Sequence, residues 1–231
     1  MRISVVIPAY NEEKYLTKTL ASLTALIRKP DEVIVVDCSS TDRTAEIAQK
    51  FGAKVITREK KTVSYARQEG VNAASGDVIA MTDSDTLVPP LWLTRIEQSL
   101  SGPGIVATCG CYIVYDGKLL YRLFINTFNP IMFWVISLFK IYIVGGQNMA
   151  FWKKSVLTAG GFPVDFQSLE DLEIMRRLAS VGKVIYRTDN TVMSSGRRSN
   201  EGWAVTVRVG KGYLRYFLKR KADTFSFPDI R

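Results

Sequence analysis

The chain has 231 residues, 47% hydrophobic and 23% charged, enough for one large α/β domain with its own core and far from the composition of a disordered chain. It contains no histidine, which excludes Ser-His and Cys-His nucleophilic catalysis and every imidazole metal site. The net charge of +9 is unevenly placed: residues 1–100 carry 13 Lys+Arg and 13 Asp+Glu, residues 101–231 carry 18 and 9, so the basic second half points to an anionic partner.

In chain order, residues 3–7 form a short β-branched run that stops at Pro8. Asn11 is placed to cap a helix that starts with Glu12 and Glu13 and carries Leu16, Leu20, Leu23 and Ile27 on one face. Residues 32–36 read as a second buried strand. Ser39-Ser40-Thr41-Asp42 precede a helix over 43–51 that ends at Gly52. A third strand at 54–57, a helix over 65–74 and a fourth strand at 78–82 complete a β-α-β-α-β-α-β order. Its continuously apolar strands predict a parallel sheet covered by helices on both faces.

The second half is less regular. Residues 106–115 read as a strand ending at the Asp116-Gly117 turn. Residues 119–144 form an apolar, aromatic insertion. Arg122, Asn126, Asn129 and Pro130 break its first part and Lys140 its second, so it suits a buried or interfacial helix better than a membrane span. Short helices follow at 155–159 and 169–181, with a strand at 183–186. Residues 202–221 interleave aromatic and apolar residues with Arg208, Lys211, Arg215, Lys219, Arg220 and Lys221, as helices on anionic membranes do. Three cysteines, Cys38, Cys109 and Cys111, read as buried thiols rather than a disulfide framework. The N-terminus opens on a strand and shows no signal-peptide pattern, so a cytoplasmic location is expected.

In a parallel sheet ligands bind beyond the carboxyl ends of the strands. Pro8–Glu12, Asp37–Asp42 and Asp83-Ser84-Asp85 all fall at that edge. Two carboxylates two residues apart at a strand end suit a hard divalent cation and leave room for diphosphate oxygens and water. Glu170-Asp171 supplies a second carboxylate centre, and without histidine Asp171 is the best-placed general base. No Rossmann glycine fingerprint and no Walker A loop follow the first strand.

Val5-Val6-Ile7-Pro8-Ala9-Tyr10-Asn11-Glu12, Val35-Val36-Asp37-Cys38-Ser39-Ser40-Thr41-Asp42, Ala66-Arg67-Gln68-Glu69-Gly70, Asp83-Ser84-Asp85, Ala159-Gly160-Gly161-Phe162 and Leu169-Glu170-Asp171-Leu172-Glu173 occur in the order of family 2 glycosyltransferases. The resemblance covers about residues 1–190. It implies a GT-A fold with a Rossmann-like, mostly parallel sheet, a nucleotide-diphosphate sugar donor (UDP- or GDP-sugar), Mg2+ or Mn2+, and inversion at the anomeric carbon. It further implies that Pro8, Ala9, Tyr10 and Glu12 line the nucleotide pocket and that Asp37 contacts base or ribose. Arg67 is expected to meet the base or a neighbouring acid, and Asp83 and Ser84 to lie by the ribose or sugar. Asp85 ligates the metal with Asp83, and Asp171 is the base. Gln147 and Asn148 occupy the acceptor-side wall. Where many members carry histidine or Gln-x-x-Arg-Trp, this chain has Ser194-Ser195-Gly196-Arg197-Arg198, whose arginines suit a diphosphate, an acceptor phosphate or lipid headgroups.

The organisation expected is a GT-A domain over 1–195, with a nucleotide half (1–100) and an acceptor half (101–195), and a basic membrane-associating tail over 196–231. The leading expectation is a transferase, peripheral at the inner face of the cell membrane, whose acceptor is lipid-linked. The alternatives are a soluble transferase acting on a glycan or small-molecule hydroxyl, and a sugar nucleotidyltransferase, whose glycine-rich basic loop is missing here. Nucleic acid is not an expected partner, because no recognised binding pattern accompanies the charge.

Overall fold

The β-branched runs of the N-terminal half become parallel strands in the computed structural model, which describes residues 1–219. The elements alternate as β1 (Ile3–Ala9), α1 (Leu16–Thr24), β2 (Glu32–Asp37), α2 (Thr44–Lys50), β3 (Lys54–Thr57), α3 (Val63–Ala73) and β4 (Val78–Met81). All of β1 and β4 is buried, as strands covered on both faces must be. Their parallel register pairs Ala9 with Asp37 and Val6 with Met81, so the ends of β1, β2 and β4 finish at one edge. Gly70 lets α3 lie directly on this sheet, because a side chain there would run into Val6.

The rest of the chain extends the same sheet. It continues as β5 (Thr86–Leu87), α4 (Trp92–Leu100), β6 (Ile105–Val114), α5 (Leu119–Ser137), β7 (Met149–Trp152), α6 (Lys153–Thr158), α7 (Glu170–Val181), β8 (Lys183–Ser194), a 3-10 turn (Arg197–Glu201) and α8 (Trp203–Lys219). The eight strands lie in the order β3-β2-β1-β4-β7-β6-β8-β5. The first four are mutually parallel. β7 runs antiparallel to both β4 and β6, β6 and β8 are parallel, and β5 is antiparallel to β8. One core lies between the sheet and α1, α2 and α4, around Leu16, Leu20, Trp92 and Ile96. A second lies under α3, α6 and α7, around Val71, Val156, Phe162 and Ile174. The three cysteines are buried and free.

Several local expectations give way to tertiary contacts. Asn11 does not cap α1: it sits at φ 53 and its side-chain carbonyl accepts the Thr41 N–H at 2.8 Å, tying two edge loops together. Glu12 and Glu13 precede the helix, which begins at Leu16. Its apolar face continues through Leu26, 1% exposed, while Ile27 points to solvent. The segment 119–144 is not broken at Pro130, which lies inside the 19-residue helix α5. The expected four-residue strand at 183–186 runs on to Ser194, held along β6. Strands β5 and β7 and helix α4 were not read from the sequence. Of the basic tail expected over 196–231, residues 220–231 lie outside the described residues.

The third apolar cluster joins α5, α7 and α8: Phe133, Ile143, Leu169, Leu172 and Tyr216 pack with Cys111. The Tyr216 hydroxyl donates to Glu173 at 2.6 Å, and Asn126 holds α5 to β6 through both the N–H and the carbonyl of Val114.

Candidate active site

The sheet edge gathers residues that are far apart in sequence. Pro8 and Ala9 end β1, and Tyr10 follows with the Lys60 ammonium 3.8 Å from its ring centre. Asp37 ends β2, nearly buried, with both carboxylate oxygens near the Ser40 N–H at 3.3 and 3.4 Å. Ser84 is buried, and its carbonyl accepts the Thr19 hydroxyl at 2.8 Å, which pins the turn between Asp83 and Asp85 to α1.

Two arginines, one buried and one half-buried, organise the carboxylates. Arg67, on α3, pairs through one nitrogen with Asp83 at 2.8 Å and through the other with Glu170 at the start of α7. Gly146 allows this, since a side chain there would collide with the guanidinium. Burial works against the charge of Arg67, but Asp83, Glu170 and Asp171 more than offset it and hold its pKa above the usual arginine value. Arg197 forms a bidentate pair with Glu12 at 2.9 and 2.8 Å, and one of its nitrogens also lies 3.0 Å from Asp85. Its guanidinium stands 4.8 Å from the Tyr15 ring centre.

The backbone explains why Arg197 arrives there. Directly after Asp85, β5 pairs Thr86 with Ser194 of β8, and the Ser195 N–H donates to the Asp85 carbonyl at 3.1 Å. Asp116 accepts from Gly196 N–H and from the Ser195 hydroxyl, anchoring the same segment to the turn after β6. The Asp85 carboxylate also accepts from Ser194 at 3.3 Å and lies 3.5 Å from the Thr86 hydroxyl. Burial is the largest influence on Asp85, Arg197 opposes it, and repulsion from Asp83 and Glu12 adds to it; the pKa is pushed up to about 6.

Asp171 stands in the first turn of α7 and accepts its neighbour Leu172 N–H at 2.7 Å. It keeps partial exposure at the surface although protein surrounds it. Burial and the adjacent Glu170 raise its pKa above the usual carboxylate range, against the pull of Arg67. Tyr112 and Tyr213, whose hydroxyls burial holds protonated, belong to the same neighbourhood. Arg198 lies beside Arg197 and within 3.9 Å of Glu201.

The two residues of the expected acceptor wall differ. Gln147 is buried against Gly145. Asn148 is 2% exposed and engaged with the fold, accepting from the Trp92 indole at 3.0 Å and donating to the carbonyls of Cys111 and Asn190 at 2.8 and 2.6 Å. It pins β6, β8 and α4 together, with both amide hydrogens donated inside the fold. Tyr15 was missed by the sequence reading, and Ser194 was named only within the segment that carries Arg197; both touch the Glu12–Arg197–Asp85 group.

Among the described residues no three of His, Cys, Asp and Glu are gathered as a closed metal cage. The donor set fits a hard cation that takes much of its shell from a ligand: oxygen donors only, spaced two apart, with mutual repulsion among Asp83, Asp85 and Glu12 for a cation to relieve.

This is an α/β architecture whose carboxylates and arginines converge beyond the carboxyl ends of the parallel strands, where such sheets bind their ligands. The chain belongs to glycosyl transferase family 2, whose family model matches residues 4–173. It is 34% identical to glycosyltransferase AglE of Haloferax volcanii over 227 residues, covering 94% of this chain and 74% of that protein. It is 32% identical to the dolichol-phosphate mannosyltransferase of Pyrococcus furiosus, covering 80% of this chain and 55% of that one. In fold it is similar to the mannosyltransferase PcManGT of Pyrobaculum calidifontis, solved with GDP-Man and Mn2+, at a TM-score of 0.72 and 22% identity over 98% of this chain and 66% of that one.

Proposed function

We propose that the chain transfers a sugar from a UDP- or GDP-sugar, with Mg2+ or Mn2+ and inversion at the anomeric carbon, to a lipid-linked acceptor at the cytoplasmic face of a membrane. The donor part of this reading is supported by family membership and by the carboxylate edge described above. Asp83 and Asp85 hold the metal, which stabilises charge on the departing diphosphate. Pro8, Ala9, Tyr10, Glu12 and Asp37 face the nucleoside, and Arg197 and Arg198 the diphosphate. Asp171, raised in pKa, takes the proton of an acceptor hydroxyl. Gln147 stands on the acceptor side.

The observation that carries the lipid-linked acceptor is the outer face of α5. Its buried residues are Ile125, Asn129 and Phe133, one stripe at a spacing of four. Leu120 is 75% exposed and Ile131 60%, with Leu119, Leu123, Phe128 and Trp134 beside them. Burying such a side chain is worth about 1.5–3 kcal/mol each, so this face favours an apolar phase. By length and composition α5 is long and apolar enough to cross a membrane. The buried stripe ties it lengthwise to the sheet, which favours lying in the interface. α8 adds exposed Leu214, Phe217 and Leu218 next to Lys211 and Arg215, suited to anionic headgroups. Both helices share their inner cluster with α7, which begins at Glu170-Asp171. The dolichol-phosphate mannosyltransferase among the relatives agrees with such an acceptor.

The test is transfer of labelled sugar from UDP- and GDP-sugars to polyprenyl phosphate or a glycolipid in anionic vesicles, alongside water-soluble acceptors. Faster transfer to soluble acceptors, with no vesicle binding, would make this a soluble transferase.

A further inference from the structure

The two arginines of the site differ in how firmly they are held. Arg67 is enclosed: its side chain is 4% exposed, it is gripped by Asp83 and Glu170 from two elements, and Gly146 is packed against it. Arg197 is more open, its side chain 17% exposed, and it reaches the site from a short turn behind β8. One Arg197 nitrogen lies between two carboxylates, 2.8 Å from Glu12 and 3.0 Å from Asp85.

That position conflicts with direct metal ligation. A magnesium or manganese ion binds a carboxylate oxygen at about 2.0–2.2 Å, closer than the guanidinium nitrogen now stands, and two cations on one oxygen repel. The second Asp85 oxygen is already met by Ser194 and Thr86. Arg197 meets both Glu12 and Asp85 with a single positive charge, while Arg198 also acts electrostatically on Asp85. A divalent ion brings two charges to these carboxylates, and a diphosphate arriving with it offers Arg197 a new anion for its bidentate fork.

We propose that Arg197 is the resident counter-ion of the metal site: it occupies Asp85 and Glu12 until a metal–nucleotide complex arrives, then exchanges Asp85 for the diphosphate. Bare metal therefore binds weakly, and metal and nucleotide bind with positive coupling. The inference rests on the reading of Asp83-Ser84-Asp85 as the metal–diphosphate end. It makes Arg197 a gate on metal entry as well as a diphosphate ligand. No group other than those named is needed, and no bond is made or broken.

The experiment is Mn2+ titration of the full chain, followed by the electron paramagnetic resonance signal of free Mn2+, for wild type, Arg197→Gln and Arg197→Lys, without nucleotide and then with UDP or GDP. Arg197→Gln is expected to bind bare Mn2+ more tightly than wild type, on the order of tenfold, with Arg197→Lys between them. With nucleotide present the order reverses, and Arg197→Gln holds the Mn2+–nucleotide complex on the order of tenfold more weakly than wild type. This crossing of two affinities cannot come from general damage to the fold. Bare-Mn2+ affinity at or below the wild-type value overturns the proposal, judged on whichever variant keeps the wild-type melting temperature. If wild type binds neither UDP nor GDP in a Mn2+-dependent way, the donor-site reading itself falls. Intact Mn2+-dependent nucleotide binding without the crossing sinks the gate alone.

Discussion

Residues 1–100 bury most of their apolar side chains, whereas residues 101–219 both complete the core and turn a large apolar set outward. In the first half the β-branched runs are buried between helices, the charges balance, and the parallel register brings three strand ends to one edge. In the second half a ten-residue and a twelve-residue strand complete the sheet, while α5 and α8 turn leucine, isoleucine and phenylalanine outward. The first half is a binding edge supported by its own core. The second half brings Asp171, Arg197 and an apolar surface to that edge. Arg67 and Arg197 are the joints, each carrying carboxylates from both sides or reaching across from one half to the other.

The comparison is broken most severely at the second half's contribution to chemistry. Asp171→Asn is expected to lower transfer to a hydroxyl acceptor by about 10²–10⁴-fold, with nucleotide binding retained. Transfer to a polyprenyl phosphate, already an anion, should fall by less than about tenfold, so rates on the two acceptors identify which is native. On the first half's side, Asp85→Asn removes the proposed metal ligand, a change worth several kcal/mol of charge stabilisation on that reading. The expected loss is roughly 10²–10³-fold in rate, with loss of Mn2+-dependent nucleotide binding by calorimetry.

The outward face is tested by Leu120→Glu with Ile131→Glu. Each substitution removes about 1.5–3 kcal/mol of apolar burial from membrane docking, so vesicle flotation should fall at least about tenfold while UDP or GDP binding stays unchanged. Flotation equal to wild type would leave α5 without a membrane role, and comparing chains with and without residues 202–231 separates α8 from α5. Asn148→Ala sharpens the division between site and scaffold. It should cost about 1–3 kcal/mol of stability, read by denaturant unfolding, because the Trp92 indole and two buried carbonyls lose their partner.

The smallest effect is a pH shift. Burial and Glu170 favour the protonated form of Asp171, so pH must rise further than usual before the base is formed. Activity on a hydroxyl acceptor should therefore fall as pH drops through that raised pKa. Glu170→Gln removes a neighbouring negative charge and should move this acid limb downward by about one unit in the kcat/KM profile. An upward move would mean that Arg67, released by Glu170, has moved away from Asp171.

Much of the first half was legible because its signals are local. Continuous apolar runs, Gly52 at a helix end and Ser/Thr/Asp clusters state strand, stop and turn within a few residues, and a parallel sheet then places 8–12, 37–42 and 83–85 together. Even α4 had a readable face, with Trp92, Leu93, Ile96 and Leu100 all buried at helical spacing. The joints were not legible in this way. Glu12 meets Arg197 across 185 positions, and the two-residue strand β5 that delivers Arg197 has too few residues to show a period. Asn148 was read as an acceptor-side residue from the family resemblance alone; its place in the core follows from the convergence of β6, β8 and α4, which no local pattern displays.

The sequence by itself therefore determined the β/α order, the carboxylate edge, the oxygen-only chemistry that follows from the absence of histidine, and family membership. Each depends on residue type and short-range spacing, which a linear chain displays directly. Only the tertiary structure decided that α5 runs unbroken through Pro130 with its apolar face outward, that Asn148 is scaffold, and that Arg197 rather than a third acid sits on Asp85. Those outcomes depend on which distant segments meet, and burial, charge pairing and free backbone groups are settled only once they do.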